Sequence, residues 1–125
     1  MENRERIIAD YIKGYNNFDI DRMVKDFDKD MIFENLSNGE STLVLNGVEA
    51  FREQATQSTS YFAERMQTVK SFIHLPDQTE VEIDYFAILA ADLPNGMKKG
   101  EELKISGKSI FRFSGDKIIG LIDIS

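Results

Sequence analysis

From Arg65 onward the residue period changes from helical to alternating, which is the period of strands half-buried in a sheet. Turn residues cut this stretch at Leu75-Pro76-Asp77, at Asn95-Gly96 and at Ser114-Gly115-Asp116. Strands are therefore expected at about 65–75, 79–92, 101–113 and 117–124. The first half has the other period. Ile8, Tyr11, Ile12, Tyr15 and Phe18 recur at helical spacing. Asp19 has the chemistry of an N-cap for a short second helix with Ile20, Met23, Val24 and Phe27 on its inner face. Met31 to Asn35 reads as a short strand. Asn46 and Glu49 resemble a capping box opening a third helix, with Val48, Phe51, Ala55 and Phe62 facing inward. Three helices followed by an antiparallel meander make an α+β order. At 125 residues, without repeat or linker, the chain reads as one domain over 1–125.

One hairpin can be registered from charge. With Asp84 opposite Lys108, Glu80 falls opposite Arg112, and Val81, Ile83, Tyr85, Ser109 and Phe111 share the other face. That face is expected to be inner. Glu80, Glu82 and Asp84 then form a solvated or dimer-facing ladder rather than a catalytic acid cluster.

Composition excludes several functions. Fifteen Lys and Arg against 22 Asp and Glu give −7, which argues against nucleic acid and anionic membrane as partners. Without Cys there is no disulfide framework or thiolate chemistry, and a single His argues against a histidine-rich metal centre. No metal or other cofactor is expected. The opening MENRERIIADYIKGYNN holds no apolar run of signal-peptide or membrane-spanning length, so a soluble, cytoplasmic protein is expected.

The segments Ile8–Asn17, FDIDRMVKDFDKDMIFEN (18–35), NGVEAFREQ (46–54), GKSIFRF (107–113) and GDKIIGLIDIS (115–125) together resemble the nuclear-transport-factor-two-like superfamily over nearly the whole chain. The resemblance implies a cone-shaped α+β barrel: three N-terminal helices on a strongly curved, mostly antiparallel mixed sheet. Relatives of this fold include ketosteroid isomerases, limonene epoxide hydrolases and SnoaL-like polyketide cyclases. Against the isomerase pattern, Tyr11 stands at the helix-one Tyr, Asn35 at the carboxylate base and Ser109 at the later acid. Against the hydrolase pattern, Phe33 and Asn35 stand at the water-holding Tyr and Asn, and Asp123 at the catalytic Asp. The hydrolase Arg has no counterpart in VEIDYF, where Glu82 or Ile83 would take its place. The cyclases share the Asp, and His74 is expected to point outward between inner-facing Ile73 and Leu75.

These residues lead to a binding domain with an apolar pocket for a small hydrophobic or aromatic molecule. Asp123 shares the inner parity of its strand with Leu121 and Ile119, where an apolar wall raises a carboxyl pKa. Asp123 and Tyr11 are the candidate catalytic pair. The candidate ligand wall is Tyr15, Phe33, Asn35, Phe51, Phe62, Ile83, Tyr85, Ser109, Phe111 and Leu121. The plainer reading of the tyrosines and phenylalanines is core packing, and of Asn35 and Ser109 a satisfied buried network. An isomerase, cyclase or hydrolase using Asp123 as general acid or base is the alternative. Phe86, Ile88 and Ile110, expected to be exposed on the charge-laddered outer face, further suggest a homodimer through the outer sheet face.

Overall fold

The computed structural model describes residues 2–125. The order is α1 (Glu2–Asn16), α2 (Ile20–Val24), β1 (Phe27–Ser37), β2 (Glu40–Asn46), α3 (Val48–Ser58), a 3-10 turn, β3 (Phe62–His74), β4 (Gln78–Leu89), β5 (Glu102–Ser114) and β6 (Lys117–Ile124). The strands form one mixed sheet in the order β2-β1-β6-β5-β4-β3, with only β1 and β6 parallel. β2 and β3 are unpaired edges, so the cone stays open rather than closing into a barrel. Bulges in β1, β3 and the β5–β6 pair bend the sheet around the helices.

The core lies between the helices and the concave face. Tyr11 stacks on Phe27 and meets Phe111 edge-on, and Phe51 packs against both Phe27 and Phe33. α1 ends in a Schellman turn: Asp19 N–H reaches Gly14 O, Phe18 N–H reaches Tyr15 O, and Phe18 takes the left-handed conformation at φ 56°. Asp19 then caps α2 through Arg22 N–H, as expected. Arg4 ties the start of α1 to the β3–β4 turn through the carbonyls of Leu75, Pro76 and Gln78.

Four local expectations are corrected. The sequence pattern predicts no strand at 40–46, where β2 forms. It is a mostly exposed edge strand, joined to β1 by a tight turn in which Asn38 and Gly39 both have positive φ. α3 opens on Gly47 with no side-chain cap, so the Asn46–Glu49 capping box does not form; Gly47 N–H instead bonds Met31 O. Phe27 begins β1 and Phe62 begins β3, and neither lies on a helix. The β4–β5 hairpin is offset by two residues, with Glu82 opposite Lys108 and Asp84 opposite Ser106. An even offset preserves the faces, so Val81, Ile83, Ser109 and Phe111 are buried as expected. Glu80 reaches Lys108 diagonally at 2.9 Å rather than the expected Arg112, which stands opposite Gln78.

Candidate functional site

Asn35 on β1, Asp123 on β6 and Ser109 on β5 are successive partners across three adjacent strands. All three sit on inner parity, so the register itself sets a polar row into the concave face. The Ser109 hydroxyl donates to Asp123 Oδ1 at 2.7 Å. The Asn35 amide instead donates to Thr42 Oγ1 on β2 at 2.8 Å.

Two adjoining hollows meet at this row and share Tyr15 and Asp123 as walls. The outer one, about 220 Å³, is edged by Asn35, Gln67, Ile83, Tyr85, Ile105 and Ser109. The inner one, about 170 Å³, lies against Tyr11, Phe33, Leu43, Phe51, Ala55 and Arg65. Among the expected wall residues, Tyr15, Phe33, Asn35, Phe51, Ile83, Tyr85 and Ser109 therefore come together, with Tyr11 and Asp123. Phe111 and Leu121 are fully buried in the core and border neither hollow. Phe62 packs against Tyr85 instead.

Burial pushes the Asp123 carboxyl from an ordinary 3.8 up to about 6, against the opposing pull of the Ser109 hydroxyl. It can thus exist in both protonation states near neutrality. Tyr11 is held well above the usual phenol range, mainly by burial and further by the Asp123 charge, with Arg65 opposing. It remains a neutral hydroxyl at any physiological pH. The Tyr15 hydroxyl donates to that of Tyr85 at 2.8 Å, so this pair spends one donor internally.

Two polar residues of this wall escaped the sequence reading. Arg65, only 3% exposed, and Gln67 lie two apart on the inner side of β3. Arg65 Nη2 and Gln67 Oε1 are buried without hydrogen-bond partners. The signal was available: counting back in twos from inward Val69 places both on its face. The bulge at Val69/Ser71 then reverses parity, which corrects His74. That ring points inward, bonding Thr79 Oγ1 at 2.9 Å and Glu5 Oε2 at 2.7 Å, while Ile73 and Leu75 are exposed. Glu82 and Asp84 face outward, away from the hollows. Phe86, Ile88 and Ile110 are half-buried rather than exposed. No helix among the described residues is long and apolar enough to cross a membrane, and no cluster of three or more His, Asp or Glu is placed to hold a metal ion.

A family model described as SnoaL-like domain matches residues 8–121. No curated protein matches the chain. A candidate SnoaL-like polyketide cyclase from Jannaschia sp. CCS1 superposes with a TM-score of 0.81 at 10% identity, covering 98% of this chain and 84% of that one. An NTF2-like protein of unknown function from Burkholderia pseudomallei K96243 gives 0.79 at 12% identity, covering 98% and 90%. TerC, co-crystallised with polyporic acid, gives 0.78 at 14% identity, covering 98% and 90%. At these identities the likeness is one of fold.

Proposed function

Because the chain belongs to the SnoaL-like domain family, we propose that its paired hollows bind one small, mostly apolar molecule built on an aromatic ring. The observation that carries this reading is the inner hollow of about 170 Å³, walled by Tyr11, Phe33, Phe51 and Leu43 and closed on one side by Asp123. A cavity of roughly 150 Å³ in a protein core accepts a benzene ring. Aromatic walls supply the contact area, and Asp123, Ser109 and Tyr11 supply the few polar points that orient a ligand. TerC, co-crystallised with polyporic acid, is a fold relative holding a small organic molecule. A thermal-shift series with single-ring compounds such as benzamide and acetophenone tests the reading. The melting temperature is expected to rise with concentration; no rise with any member at millimolar concentration contradicts it.

A second reading is proton transfer, favoured by an Asp123 carboxyl titrating at about 6 beside a permanently neutral Tyr11. The Asp123 carboxylate would take a proton from carbon next to a carbonyl, and the Tyr11 hydroxyl would donate to the resulting enolate oxygen. The known isomerase and epoxide hydrolase sets are incomplete here, since Asn35 stands at the base position and Glu82 and Ile83 offer no guanidinium. Deuterium exchange at the acidic carbon of a cyclic 1,3-diketone provides the test. The wild type should accelerate it and Asp123→Asn should abolish the acceleration; equal rates in both discard the step.

The outer sheet face is further proposed to pair two copies of the chain. Ile32, Val44 and Met66 are each about half exposed there, at 51%, 50% and 51%, among half-buried Phe86, Ile110 and Ile122.

A further inference from the structure

We propose that Arg65 is an oxyanion receptor, and that the molecule held in the inner hollow is a single-ring aromatic acid whose carboxylate meets the Arg65 guanidinium. This rests on the reading of the hollow as a binding site.

Arg65 is placed from β3 and is 97% removed from solvent, since only 3% of it is exposed. Its Nε donates to the Tyr15 carbonyl at 2.7 Å, which fixes the direction of the guanidinium. The guanidinium carbon lies 3.8 Å from the Tyr15 ring centroid, 4.5 Å from that of Phe18 and 5.9 Å from that of Phe62. These faces stabilise a cation, but they accept no in-plane hydrogen bond. Among the described residues no ion pair includes Arg65. Nη2 is buried with no acceptor at all. A guanidinium carries five donors in a planar fork matched to a carboxylate, and burying it unpaired is unfavourable.

Arg65 is one of the residues that line the inner hollow. The carboxyl on the same wall, Asp123, forms no ion pair with it and bonds Ser109 instead. Burial raises the Asp123 carboxyl to about 6, so below that pH it is mostly neutral and does not repel an anion. An oxyanion entering beside aromatic walls therefore finds an unmatched positive charge and a protonatable neighbour.

Calorimetric titration of the full chain with benzoate and with neutral, nearly isosteric benzamide tests the inference. Benzoate is expected to bind about tenfold tighter or more, as a charge-assisted hydrogen bond implies. Its advantage should grow as the pH falls from about 7 toward about 5, because Asp123 gains a proton while benzoate stays ionised. Arg65→Gln should bring the two affinities together. The wild-type Arg65 Nε–Hε resonance should shift with benzoate and not with benzamide, a readout that does not depend on the variant folding. Benzamide binding with no preference for benzoate, or a benzoate preference with an unmoved Arg65 resonance, overturns the inference and leaves the binding function standing. Failure of both compounds to bind removes both.

Discussion

Asp123 is a destabilising residue kept at a wall of the hollow. Its folded-state value of about 6 lies above the ordinary 3.8, so its cost is absent below about pH 4, grows between the two values and is complete above about pH 6. At 1.36 kcal/mol per pH unit the upper bound is ~3 kcal/mol. Asp123→Asn keeps an acceptor for the Ser109 hydroxyl and removes the charge. Urea unfolding should show it more stable than wild type by ~1–3 kcal/mol at neutral pH and equal to it near pH 4. A variant equally destabilised at both pH values would contradict the burial of that carboxylate. The expected Ile119 does not share the inward parity of Asp123, since the register shift at Arg112/Phe113 puts Ile118 in the core instead. Asp123 was legible in the sequence because it shares inward parity with Leu121. Arg65 and Gln67 were not, since long polar side chains near a strand end carry no sign of which face they take until an inward neighbour such as Val69 is fixed.

Among the elements, the close crossing of α1 and α2 depends on Gly14. A Cβ there would stand 2.8 Å from Met23 N and 3.0 Å from Asp19 O, both backbone atoms that cannot turn aside. Alanine gains about 1 kcal/mol in helix propensity, but the overlap forces the helices apart. Gly14→Ala should therefore lower stability by ~1–3 kcal/mol in denaturant melts; a stabilised variant would show that the crossing is looser than described. The same crossing sets Phe18 in its left-handed turn and brings its ring to 4.5 Å from the Arg65 guanidinium carbon, so the helix ending helps build the site. Faces proved easier to derive than registers. The hairpin parity is dictated by burying Val81 and Phe111 rather than Glu82 and Lys108, whereas direct and diagonal charge pairing are nearly equivalent, which allowed the offset of two. β2 is a short edge strand whose inward residues are Leu43 and Leu45, and the Asn38-Gly39 turn is the local signal that announces it. The reversal at His74 follows from the Val69/Ser71 bulge, which alternation along the sequence does not reveal.

For the whole molecule, the curved sheet has two faces with separate tasks. The concave face is closed by helices except at the row Asn35–Asp123–Ser109 and the hollows beside it. The convex face carries exposed Ile32, Val44 and Met66 among charges. If that face joins two copies, light scattering should report a dimer that persists on dilution and weakens in Met66→Glu; a monomer at high concentration would exclude it. The central claim concerns the other face. Amide and methyl NMR spectra recorded during benzamide titration locate a ligand directly. Resonances of Tyr11, Tyr15, Phe33, Leu43 and Asp123 should move together and saturate, while those of Glu82, Ile110 and Ile122 stay still. Shifts confined to the convex face, or none at millimolar ligand, would contradict the account.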